Sequence, residues 1–375
     1  MLRLPGLDLL RAIAIVWVML FHSFIVGGLG PHFAWLSRYG WAGVDIFFVL
    51  SGFLIGSQVL RPLQRGEPFS FGAFYARRAW RILPAFAVVL GLYAFFPALR
   101  EAPGLQPWWQ FATFTLNLLI DPVHNSAFSH AWSLCVEEHF YLVFPLLAWW
   151  LTRRPSMRKF AGLCVAIVML GIGWRTTAWL HDSALDPARA WFLEDIYYPT
   201  WTRLDGLLMG VVLATLRVYR PQAWTRWQRH SNVVLVGGVA VTGLALWLFR
   251  DRTGLPANAI GWPLLSFGLA LLVFAGADGR SLLGRWRVPG AGWVAAISYS
   301  LYLSHKIAFH LVQTGLGASL QEHRAITFAV YALAVLLLGA ALHYLVERPF
   351  LQLRARRQLA TRQAPEGDAA ALAAN

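Results

Sequence analysis

Arg11 and His22 stand eleven residues apart in the first long apolar run of the chain, LDLLRAIAIVWVMLFHSF. Three helical turns cover that spacing, so in a helix the two side chains share one face, about 16 Å apart along the axis. Asp8, Ile15 and Val18 complete the stripe. An ionised side chain near the centre of a bilayer costs about 2.5–3.5 kcal/mol. Several on one face therefore point to a polar cavity inside a bundle, where a histidine can accept and release protons. The plainer alternative is a structural Asp8–Arg11 pair, with His22 satisfied in the core.

Two further segments carry chemistry-bearing types. In FYARRAWRILPAF, Arg77 and Arg81 are i,i+4 and Arg78 and Arg81 are i,i+3, so three guanidiniums converge at the mouth of an apolar helix. Forked guanidiniums bind phosphate oxygens in bidentate fashion. The alternative is an anchor for lipid headgroups. In HAWSLCVEEHFYLVFP, Ser133, Glu137 and Tyr141 fall on one helical stripe, while Glu138 points about 100° away. Glu137 is thus the candidate for the bundle interior, where a carboxylate can fix the tautomer of an imidazole such as His22. A structural pairing of Glu137 with Arg175 or Arg203 is the competing expectation. Asp45, Tyr302 and His305 are supporting candidates, and Ser298, Tyr302 and His305 share a face.

The elements that must position these groups are membrane helices. Of 375 residues, 58% are hydrophobic and 13% charged, against about 25% charged in soluble domains. Apolar runs of spanning length occur near 7–28, 41–60, 81–97, 132–151, 160–180, 200–217, 232–250, 258–277, 291–314 and 325–346. This predicts an all-α polytopic bundle of about ten transmembrane helices. The segment 108–120 is too short to span and reads as re-entrant or interfacial. The net charge of +14 sits in short loops between the runs, around Arg61–Arg81, Arg153–Lys159, Arg217–Arg229 and Arg280–Arg287. That distribution reflects topology, not nucleic-acid binding, and it places both termini in the cytoplasm. Trp191, Tyr197, Tyr198 and Trp201, near the outer face, suit either stacking on sugar rings or an interfacial belt, and the belt is the expectation. Cys135 and Cys164 lie in apolar runs and read as small hydrophobes. No spacing suits a metal site. Residues 1–350 form one transmembrane domain, and 351–375 a cytoplasmic tail that is basic, then disordered.

The stretches LDLLRAIAIVWVMLFH, GWAGVDIFFVLSGFLI, FYARRAWRILP, WSLCVEEHFYLVFP, SYSLYLSH and ERPF resemble, in order, the acyltransferase-3 family of integral membrane O-acyltransferases. The resemblance runs from residue 7 to 350 and implies a multi-pass protein of a bacterial-type inner membrane, without the esterase-like extension of fused members. It implies that His22 acts in acyl transfer, that Arg11 supports the same cavity and that Glu137 is the family's glutamate. It also implies that Arg77, Arg78 and Arg81 hold an acyl-CoA donor such as acetyl-CoA. The acceptor is then a hydroxyl of a surface glycan, lipid-linked glycan or glycosylated metabolite, with His22 as general base or as a covalent acyl relay. His139 stands where relatives often carry Gln, on another side of the helix, and no chemistry is assigned to it. The rival expectation from another class is a proton-coupled transporter or flippase that uses Arg11, His22, Glu137 and His305 as a relay.

Overall fold

The computed structural model describes residues 4–28, 34–182, 189–320 and 324–363. Its regular elements are helices: α1 (Pro5–Phe21), α2 (Ala34–Arg38), α3 (Ala42–Gln64), α4 (Phe71–Phe95), α5 (Trp108–Ala112), α6 (Leu116–Leu119), α7 (Trp132–Thr152) and α8 (Met157–Asp182). There follow α9 (Leu204–Tyr219), α10 (Pro221–Gln228), α11 (Ser231–Leu248), α12 (Trp262–Gly276), α13 (Leu282–Arg285), α14 (Ala291–Leu320), α15 (Arg324–Leu342) and α16 (Arg348–Gln363).

Eight helical stretches among the described residues are long and apolar enough to cross a membrane: Pro5–Val26, Ala42–Gln64, Phe71–Phe95, Ser129–Thr152, Met157–Asp182, Ser231–Leu248, Ala257–Gly276 and Ile326–Arg357. The chain is a multi-pass helical membrane protein. The two other expected spans fall on α9 and α14, which are not among these eight. Helix α9 has only 16 residues, because Pro199 and a 3-10 turn over Thr200–Thr202 delay its start. Helix α14 has 30 residues, but its apolar character is diluted by Ser298, Ser300, Ser304, His305 and Lys306, all buried. Segment 108–120 does not span. It breaks into α5 and α6 around Phe114, whose φ of 55° lies in the left-handed region. The basic start of the tail is helical, within α16, and residues 364–375 lie outside the described ones.

The chain divides into two compact units, one of residues up to 69 with 100–298, the other of 70–99 with the residues from 299 onward. In the first, α3 and α9 cross so closely that small residues are obligatory. A Cβ on Gly52 would run into the Leu207 carbonyl, and one on Gly210 into the Val49 carbonyl and the Phe53 amide. Both helices carry a glycine pair four apart, Gly52 with Gly56 and Gly206 with Gly210. This is how membrane helices gain dispersion contact where lipid offers no hydrophobic drive. In the second unit, Ser70 caps α4 by accepting the Ala73 amide at 3.3 Å, and the Tyr299 hydroxyl donates to the Ile82 carbonyl at 2.8 Å.

Replacing Gly210 by Leu should force α3 and α9 apart and destabilise the first unit by about 1–3 kcal/mol or more. The check is the thermal midpoint of detergent-purified protein. An unchanged midpoint would show that the crossing is not tight.

Candidate active site

Helix α1 tightens at its end into a 3-10 turn, His22–Val26, closed by Gly27 at a φ of 85°. His22 is therefore lifted off the regular helix at the end of the stripe. Ile15 and Val18 are fully buried, while Asp8, Arg11 and His22 are half-buried. Asp8 occupies the first turn of α1, where the helix dipole favours a carboxylate. The His22 ring lies 5.2 Å from Phe21, 6.1 Å from Phe24 and 6.2 Å from His130, centroid to centroid. His130 is buried in the 3-10 turn Ser129–Ala131 that leads into α7. That turn begins at Phe128, a bulky residue held at a φ of 56°, a conformation that persists only where packing imposes it. The packing is plain: Phe128 is fully buried, stacked on Phe111 at 5.5 Å and edge-on to His130 at 5.0 Å. His130 was not among the sequence candidates. Its only signal was its place two residues before Trp132, at the head of the glutamate segment.

The stripe on α7 forms as its spacing predicts, and its partner is α3. The Tyr141 hydroxyl donates to Glu137 Oε2, and Ser51 Oγ donates to the same oxygen at 3.1 Å. Tyr141 and Ser51 also lie within 3.2 Å of each other. Ser133 takes another course, donating to the His130 carbonyl at 3.5 Å, and so ties the start of α7 to the histidine turn. The competing partners proposed for Glu137 are engaged elsewhere. Arg175 Nη1 meets Asp205 Oδ2 at 2.7 Å, and Arg203 Nη2 meets Asp45 Oδ1 at 2.8 Å.

Asp45 is thereby placed as the buried counter-ion of Arg203, whose guanidinium carbon lies 3.8 Å from the Trp262 ring centroid, 4.6 Å from Tyr197 and 5.2 Å from Trp132. Arg252 contacts the other side of the same cluster, 4.5 Å from Tyr197 and 5.0 Å from Trp41. Burial among these rings lowers the pKa of Arg252 and raises that of Tyr198. The interfacial-belt expectation is corrected here. Tyr197 and Tyr198 are buried, and Tyr197 packs on two guanidiniums; Trp201 is exposed. A π-helical turn, Phe192–Tyr197, delivers Tyr197, and a second, Ala257–Gly261, offers the Asn258 carbonyl to Arg175 Nε at 2.8 Å. Such wide turns leave groups outside the regular ladder and recur at functional sites.

In the second unit, Arg77 and Arg78 are half-buried on α4 and Arg81 is exposed. Sequence reasoning missed their companion on α16. Arg354 lies near enough to Arg77 for the two charges to repel, and its Nε has no hydrogen-bond partner among the described residues. Helix α16 is held against α4 by Phe350 and Arg357, both on Trp80, at 5.9 and 5.2 Å. A concentration of like-charged forks is stabilised by an anion. His305 is fully buried and its Nδ1 lies 2.8 Å from the Tyr302 carbonyl. That contact makes Nδ1 the donor and leaves Nε2 as the acceptor. Glu347 is buried in a third π-helical turn, accepting from Ser300 at 2.8 Å and lying 2.8 Å from His343 Nδ1.

Residues 4–346 match the acyltransferase domain that defines the acyltransferase-3 family, and the chain belongs to that family. It is similar to O-acetyltransferase OatA of Staphylococcus aureus, 29% identical over 325 residues that make up 80% of this chain and 50% of that protein. It is also similar to peptidoglycan O-acetyltransferase OatA of Listeria monocytogenes, 30% identical over 332 residues, 80% of this chain and 48% of that protein. The chain thus spans about half the length of the curated relatives it matches. No solved structure matches it.

Truncating Arg203 to Met would leave the Asp45 carboxylate buried and unpaired, a loss of about 3–5 kcal/mol. The Asp45→Asn/Arg203→Met double variant should lose less than the sum of the two single losses. A double-mutant cycle on thermal unfolding in detergent checks this; strict additivity would deny the pair.

Proposed function

We propose that this protein is an O-acyltransferase of a bacterial-type cytoplasmic membrane that moves an acetyl group from acetyl-CoA to a hydroxyl of a cell-surface or lipid-linked glycan. Membership of the family and the O-acetyltransferase names of the relatives support the reaction class. The observation that carries the site is the His22–His130 ring contact at the end of α1. Basic residues gathered at 61–81, 153–159, 217–229 and 280–287 support a cytoplasmic location for both termini.

On this reading, His22 takes the proton of the acceptor hydroxyl as the oxygen attacks the thioester carbonyl. The carbon–sulfur bond breaks, and the leaving CoA sulfur receives the proton from the imidazolium. Glu137, held by Tyr141 and Ser51, and Arg11 supply the polar setting. The second unit serves the donor. Arg77, Arg78 and Arg81, with Arg354 added by the fold, suit the phosphates of CoA, which offer acceptors to several forks at once.

Transfer of labelled acetyl from acetyl-CoA to the glycan fraction of membranes, at matched expression, checks both halves. His22→Ala should lower it by about 10²–10⁴-fold. The Arg77/Arg78/Arg81 triple-Ala variant should raise the acetyl-CoA KM. Undiminished transfer in His22→Ala would refute the base. An unchanged KM would refute the donor site. Wild-type membranes inactive with acetyl-CoA would refute the donor itself and return the relay reading of a transporter.

A further inference from the structure

In the first unit Arg203 and Arg175 each hold a carboxylate, Asp45 and Asp205. Arg252, packed in the same aromatic cluster as Arg203, holds none among the described residues. It stands half-buried in the loop between α11 and α12. Its guanidinium carbon lies 4.5 Å from the Tyr197 ring centroid, 5.0 Å from Trp41, 5.1 Å from Phe192 and 5.6 Å from Phe21. Ring faces attract a cation but carry no net charge to neutralise it. Asp45 is a carboxylate whose charge acts on Arg252, but Arg203 already holds it. Glu194 and Asp195, on the turn that carries Phe192 and Tyr197, are bonded to Arg189 at 2.7 and 2.8 Å. Asp251, the preceding residue, is exposed and accepts from Thr253 at 3.2 Å.

The fork of Arg252 is open to a ligand. Its Nε is buried, whereas Nη1 and Nη2 bond to no described residue and keep accessible surface. A guanidinium drawn partly out of water and left without an anion is unfavourable, and an acceptor that takes two parallel N–H bonds relieves it. The place is also informative. The Phe21 ring lies against both Arg252 and His22, 5.6 Å from the guanidinium carbon and 5.2 Å from the His22 ring centre. Fork and imidazole are therefore no farther apart than those two lengths together, a span that a disaccharide covers. The basic stretches 217–229 and 280–287 lie at the opposite ends of α11 and α12, so the proposed topology puts Arg252 on the external side.

We infer that Arg252 binds a carboxylate of the acceptor, which makes the acceptor an acidic glycan with a sugar acid beside the unit whose hydroxyl reaches His22. The inference rests on the proposed acyl transfer for the role of His22. One negative charge is what the cluster lacks, since Arg203 and Asp45 balance each other and Arg252 remains. A carboxylate supplies that charge on two coplanar oxygens, the match for a guanidinium fork. The half-buried rings of Phe21 and Phe192 offer apolar surface to the sugar that carries it. A neutral glycan would leave the charge unanswered, so Arg252 sorts acceptors by charge.

The test is calorimetric titration of the full chain, in phosphatidylcholine nanodiscs without acetyl-CoA, with an oligogalacturonate and with its methyl ester. The two probes share their sugars and differ in charge. The wild type should bind the acid about tenfold more tightly than the ester. Arg252→Gln should erase that preference, and Arg250→Gln, an exposed charge two residues away, should keep it. Should Arg252→Gln fail to fold and lose both probes, Arg252→Lys, which keeps the charge without the fork, should narrow the preference. Equal binding of acid and ester by the wild type would overturn the inference. So would a preference unchanged in the Arg252 variants, or one abolished when phosphatidylglycerol is added to the nanodisc, which would give the fork to a lipid headgroup. Binding is read without turnover, so the two readings fail separately. Acid preference in a protein that transfers no acetyl would leave the anion site and remove the acyltransferase; transfer without acid preference would do the reverse.

Discussion

Everything in the first unit is arranged around charge that has no water to meet it. Arg203 is 2% exposed and Arg175 fully buried. In hydrocarbon each would be untenable alone, so each takes a carboxylate, Asp45 or Asp205, within 2.8 Å. The pairs need geometry that plain helices do not provide. Two π-helical turns supply it, one bringing Tyr197 onto Arg203 and the other the Asn258 carbonyl onto Arg175. Ring faces then provide the rest of the solvation, through their quadrupoles.

These charge pairs also fix which helices can be neighbours. Asp45 is on α3 and Arg203 immediately precedes α9, so their bond sets the register in which α3 and α9 meet. The glycines at that crossing let the backbones approach at the register the ions require. Close packing and ion pairing therefore reinforce one another, which is the consistency expected of a chain with a single native arrangement. On the far side of α3, Ser51 reaches Glu137 and Tyr141 of α7. The candidate carboxylate is thus held by the same helix that anchors Arg203.

Much of the candidate site was legible in the residue pattern. The stripe of Ser133, Glu137 and Tyr141 followed from the helical period alone, and the Glu137–Tyr141 bond is an i,i+4 contact. The same spacing led to the expectation that Arg77, Arg78 and Arg81 lie together on α4. His130 and Arg354 were not legible. The first depends on Phe128 in a left-handed conformation imposed by buried neighbours, and the second on a helix some 270 residues away in sequence folding back on α4. The belt expectation for Tyr197 and Tyr198 failed for a related reason. Aromatic residues near a helix end read alike whether they face headgroups or guanidiniums, until the guanidiniums are located.

What the sequence determined by itself was the set of apolar runs, the stripes of polar residues upon them and the small residues that let helices touch, because each is written in local period and composition. The partners were settled by the tertiary structure. It gave Asp45 to Arg203, Asp205 to Arg175 and Ser51 to Glu137, since several buried carboxylates and cations offer combinations that local pattern cannot rank, and it set the His130 ring 6.2 Å from that of His22. Only the packing of helices distant in sequence brings these groups within hydrogen-bond reach.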